Sequence, residues 1–184
     1  MRLTYPSLLR MLLVLDVLKR NAAIRLTCFS MFCNVIDFTS NEDTFVYQYI
    51  PTNTSMVVLQ NVLIEHLEMQ MLTKLPPIVT VQSSLALKWI SVPMDVNDLR
   101  ITSTSLTKIN FDERSMLSRL TVKESKLAKL PRTLGNARSL EFVSVTESNV
   151  RHLDLAAFCD YSLLQIIGTE WDFLPSQEKG SFGF

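Results

Sequence analysis

The chain offers little to catalysis: two histidines, three cysteines and scattered carboxylates. His66 and His152 stand 86 positions apart, each directly before a leucine, Leu67 or Leu153. A histidine makes a catalytic triad only with a nucleophile and an orienting group. Neither histidine has such neighbours in the sequence, and both read as surface or edge residues. The phosphate-binding, dinucleotide-binding, zinc-protease and nucleophile-elbow patterns do not occur. Cys28 and Cys33 have no second Cys or His pair to complete a zinc site. The expectation is a protein that is not an enzyme and uses no metal and no cofactor.

The C-x4-C spacing of Cys28 and Cys33 has two readings. In a secreted chain it closes a small loop as a disulfide and ties down a terminal cap with little core of its own. In a cytosolic chain it is two buried thiols. Cys159 reads as a small core residue or as a bridge to another chain. Asn53-Thr54-Ser55 is the one N-x-[ST] sequence, a glycosylation candidate at Asn53 on the secretory route.

Localisation turns on residues 1–27. Arg2, the apolar stretch from Leu8 to Leu18, then Ala22 and Ala23 follow the order of a secretory signal. Arg10, Asp16 and Lys19-Arg20 interrupt it, as they would in an amphipathic helix. The reading is secreted, with a cytoplasmic protein as the alternative. No run approaches the roughly 20 apolar residues of a membrane span. Eighteen basic and 18 acidic side chains cancel, which argues against a nucleic-acid partner. A 47% hydrophobic content excludes a disordered chain.

The elements that must position these residues announce themselves by a period. Leu117, Leu120, Val122, Ser125, Leu127 and Leu130 recur as Leu140, Val143, Val145, Ser148, Val150 and Leu153. The preceding unit is Val96, Leu99, Ile101, Thr104, Leu106 and Ile109. Weaker copies are Val57, Leu59, Val62, Ile64 and Leu67; then Val79, Val81, Ser84, Ala86 and Trp89; and finally Leu163, Ile166, Gly168, Trp171 and Phe173. Two apolar residues separated by one are the mark of a half-buried strand. Units that bury too little alone become stable by stacking.

This spacing resembles the leucine-rich repeat superfamily of extracellular type, with Ser or Thr at its Asn position. The leader, Cys pair and short irregular units also look like insect leucine-rich immune proteins. The resemblance implies an α/β fold: a short leucine-rich repeat solenoid, or horseshoe, with parallel strands on the concave face. Its convex segments would be mostly irregular or short helical, one of them at Pro131–Ala137. It divides the chain into a leader at 1–27, an N-terminal cap at 28–53, about six repeats at 54–174 and a tail at 175–184. It implies a secreted recognition protein, in innate immunity, that binds a protein, a microbial surface or a carbohydrate through its concave face. The alternatives are an intracellular adaptor or a truncated array without independent function. The C-terminal Cys-rich cap of such relatives is missing, and an uncapped end would invite association.

In that frame Asp98, Arg100, Arg119, Thr121, Lys123, Phe142 and Ser144 face outward on neighbouring strands. Arg and aromatic residues are frequent interface anchors, so these seven form the candidate binding patch.

Overall fold

Alternating apolar and polar residues, rich in the β-branched Val, Ile and Thr, make strands of Met56–Gln60 (β4), Ile78–Ser84 (β6), Asp98–Thr104 (β8), Arg119–Lys123 (β10) and Phe142–Thr146 (β11). In the computed structural model, which describes residues 13–14, 24–69, 75–151 and 164–168, these strands form most of a nine-stranded sheet. Leu13–Val14 (β1), Arg25–Phe29 (β2) and Phe32–Ile36 (β3) lie at one end of it and Gln165–Gly168 (β12) at the other. Between them the chain visits a second, three-stranded sheet: His66–Glu68 (β5), Trp89–Val92 (β7) and Lys108–Phe111 (β9).

The principal sheet is parallel from β3 to β12, and the register aligns equivalent residues. Cys33, Val57, Val79, Leu99, Leu120, Val143 and Ile166 are successive partners. The first six of that row are fully buried. The second inward row runs Val35, Leu59, Val81, Ile101, Val122 and Val145. Leu67, Ile90 and Ile109 line up in the second sheet. The two sets belong to one core. Each such side chain contributes about 1.5–3 kcal/mol by leaving water.

The horseshoe fold class does not stand. The principal sheet is mixed, because β1, β2 and β3 pair antiparallel. Where short helices or irregular convex segments were expected, β5, β7 and β9 build a parallel sheet. The described residues hold two 3-10 helices, Asn41–Tyr49 and Arg132–Asn136, and no repeating helix–strand alternation. The physical reason lies in side chains. The return segments carry Ile90-Ser91-Val92 and Ile109-Asn110-Phe111, whose alternation and β-branching suit strands better than a helical turn. This is a mixed β-sheet domain in which the chain alternates between two sheets.

The second unit also departs from its expected frame. Leu87 and Ile90 are fully buried, whereas Ala86 and Trp89 are only half-buried. Ser84 and Thr104 are partners, and so are Ile90 and Ile109, so the segment after Ser84 is longer by one residue. Leucine fills the volume that Ala86 would leave empty, and the spare residue places Leu85 in solvent.

One backbone feature recurs at the ends of β3, β4, β6, β8, β10 and β11. Asp37, Asn61, Ser83, Ser103, Glu124 and Glu147 have φ of 63°, 55°, 51°, 53°, 51° and 49°. Alternation along β6 would send Ser83 inward after Val79 and Val81. The left-handed residue turns the chain, so Ser83 is exposed and Ser84 is buried instead. The Ser84 hydroxyl then accepts from the Val62 amide at 3.0 Å and donates to the Gln82 carbonyl at 2.9 Å. Ser125 and Ser148 meet at 3.0 Å, and Ser148 donates to the Thr146 carbonyl. Thr104 at the same place has no hydroxyl partner among the described residues.

No glycine stands at these corners, and a side chain in left-handed backbone costs about 1–2 kcal/mol, least for Asn and Asp. Ser83→Val is therefore expected to lower the unfolding free energy by about 1–2 kcal/mol. Ser83→Gly should hold or raise it. Urea midpoints read both, and equal midpoints for the two variants would contradict the corner.

Candidate functional site

Strand alternation sends every second residue of the principal sheet to its outer face, and the register sorts them into rows. One row runs Asp98, Arg119, Phe142; the next runs Arg100, Thr121, Ser144; the third runs Thr102, Lys123, Thr146. The seven residues of the candidate patch thus share the outer face of β8, β10 and β11.

Their charges are more committed than the sequence suggests. Arg100 makes a two-pronged contact to Asp98, Nε to Oδ1 at 3.2 Å and Nη2 to Oδ2 at 2.7 Å. Hydrogen bonding to Asp98 raises the Arg100 pKa further. Lys123 reaches Glu147 at 3.3 Å and Glu124 at 3.6 Å. Bonding to Glu147 and the charges of both carboxylates raise its pKa. The Ser103 hydroxyl donates to Glu124 at 2.6 Å and, ahead of Lys123, holds that carboxylate below its usual range. Exposed pairs of this kind contribute about 0–1 kcal/mol to stability. Their effect is to fix side chains and cancel charge.

Arg119 differs. It is exposed, makes no ion pair among the described residues, and lies over the Phe142 ring at 5.1 Å. Its strand partner Asp98 is occupied by Arg100. The corner of Asp98, Arg100 and Arg119 therefore holds two cations and one anion, with the Thr121 and Ser144 hydroxyls alongside.

One row of this face is apolar beyond Asp98: Phe29, Phe32, Met56 and Ile78 are successive partners in the row that leads to it. Sequence reasoning missed the place of Phe29 and Phe32 in that row. It also missed the pairing of Ser103 with Glu124 and of Asn61 with Asp37 at 2.6 Å. The available signal was complementarity at the repeat distance, visible only once the register is known.

Cys28 and Cys33 are cross-strand partners in the β2–β3 hairpin and are joined as a disulfide. Cys33 heads the buried sheet row, and the Thr54 hydroxyl donates to its sulfur at 3.6 Å. Asn53 is exposed just before β4. His66 lies on the second sheet with its ring at 5.2 Å, edge-on, from Trp89, whose other close neighbour is the Lys108 ammonium at 4.9 Å. No nucleophile accompanies His66 there among the described contacts. His152, Cys159, most of the leader and the tail at 175–184 lie outside the described residues. Among the described residues no group of three His, Cys, Asp or Glu could hold a metal. No helix among them is long and apolar enough to cross a membrane.

No known family model matches the chain, and a comparison with curated proteins returns no match. Together with the mixed two-sheet fold, this overturns the leucine-rich repeat assignment and the likeness to insect immune proteins. The concave-face recognition function, the innate-immune role, the protein or microbial-surface partners and the association through an uncapped end all rested on that architecture. They are withdrawn with it.

Glu124 gives the face a pH signature. A carboxylate depressed in the folded state stabilises above its unfolded pKa, and the contribution disappears as pH falls through the folded value. Glu124→Gln should therefore be less stable than the parent near about pH 6 and indistinguishable from it in strong acid. Urea midpoints across a pH series test this; a gap that persists unchanged in acid would exclude the Ser103–Glu124 contact.

Proposed function

We propose that the chain is a non-catalytic binding module of an oxidising, extracytoplasmic compartment, and that it holds carboxylate-bearing ligands at Arg119. The observation that carries this is the Arg119 guanidinium over the Phe142 ring, with no carboxylate partner among the described residues. A cation over an aromatic ring is favoured by about 0.5–1 kcal/mol at an exposed site. A planar guanidinium matches a carboxylate through two parallel hydrogen bonds. Asp98 does not compete, since Arg100 occupies it. Thr121 and Ser144 add hydroxyl donors on the adjacent row. Lys123 takes no part, because two glutamates already neutralise it. The compartment is supported by the Cys28–Cys33 bridge, a bond that reducing compartments do not maintain.

Polyacrylate and polyacrylamide share a backbone and differ in charge, which makes them a direct probe. The protein is expected to bind polyacrylate and not polyacrylamide. Arg119→Ala should weaken that binding roughly 10-fold or more, the loss of a charge-assisted hydrogen bond. Phe142→Ala should weaken it less, and both variants should keep the parent's urea midpoint. Equal binding of the two polymers, or an unchanged affinity in Arg119→Ala, overturns the proposal.

A further inference from the structure

We infer that Asn53 carries an N-linked glycan. The inference rests on the extracytoplasmic reading and adds a modification site to it. Thr54 is not proline, so Asn53-Thr54-Ser55 is a competent acceptor sequence. The fold treats its three residues differently. The Thr54 amide bonds back to the Pro51 carbonyl at 3.0 Å, which closes a turn with Thr52 and Asn53 at its exposed tip. Thr54 is buried against Cys33. Ser55 is pinned by its hydroxyl and its amide to the Met31 carbonyl, at 3.1 and 2.8 Å. The Asn53 side chain has no hydrogen-bond partner among the described residues. A bulky group on its Nδ2 therefore displaces nothing.

In the transfer, Asn53 Nδ2 bonds to C1 of an oligosaccharide carried on a polyprenyl diphosphate. The C1–O bond breaks, the diphosphate leaves with its electron pair, and the amide nitrogen gives up one proton. The Ser55 hydroxyl that the acceptor sequence requires is tied up once β3 and β4 have paired, so the transfer precedes that pairing. The attached glycan stands beside the β2–β3 turn, where Phe29 and Met31 are each 54% exposed, and it covers that apolar tip.

The test is to produce the full chain in cultured eukaryotic cells and recover it without reduction. Peptide mapping then follows, before and after treatment with a glycan-releasing amidase. The expected result is a glycosylated peptide that the amidase converts to one with Asp at position 53. Asn53→Gln and Ser55→Ala lose the modification, and Ser55→Thr keeps it. Unmodified Asn53 in chains whose Cys28–Cys33 bridge is closed overturns the glycan and leaves the compartment standing. Unmodified Asn53 with free thiols at Cys28 and Cys33 overturns both.

Discussion

At the ends of six strands of the principal sheet, β3, β4, β6, β8, β10 and β11, the backbone passes through a conformation that L-amino acids resist, and side-chain-bearing residues from Asp37 to Glu147 accept it. The alternation of a strand is otherwise rigid. Without the left-handed residue, Ser84 and Val62 would face solvent and the core would lose its corner. With it, the hydroxyl or apolar residue that follows points inward, the chain turns toward the next segment, and the amide at the corner joins the neighbouring strand's ladder. The Asp37, Asn61 and Glu124 amides bond to Gln60, Gln82 and Thr146 in this way. The cost, of order 1 kcal/mol at each corner, is offset only because every corner stacks on another.

The same geometry builds the outer face. Corners held at a constant place keep the strands in step, and strands in step bring residues some 20 positions apart into contact. Asp98 meets Arg119 by register, yet it engages Arg100 on its own strand. That choice leaves the Arg119 guanidinium without a counter-ion among the described residues. Lys123 sits at the end of β10, within reach of the carboxylates at two corners, and is neutralised there. Among the described residues Arg119 has no ion pair, whereas Lys123 is held by two carboxylates beside its corner.

The strand frame was legible in the sequence, because alternation within each strand and a recurrence of 20 to 23 residues reinforce each other. Leu99, Leu120 and Val143 are indeed partners on adjacent strands. The outward positions of the patch follow from that parity alone. What period cannot reveal is what the return segments become. Strands of three or four residues such as His66–Glu68 are too short to show alternation, and mostly irregular or short helical segments were expected on that side. A single extra residue after Ser84 was invisible because both frames offered an apolar residue: Ala86 or Leu87, Trp89 or Ile90. The pairing of Arg100 with Asp98 depends on side-chain torsions, which spacing does not encode. The family reading failed for a different reason: stacking apolar rows is a solution open to any chain with this period, so the spacing alone does not establish kinship.

The order of strands across the principal sheet is nearly the order of the chain itself, with each strand lying beside one already made. A polypeptide emerging from the ribosome would find its docking surface waiting at every step, and it need not hold a long unpaired tail in reserve.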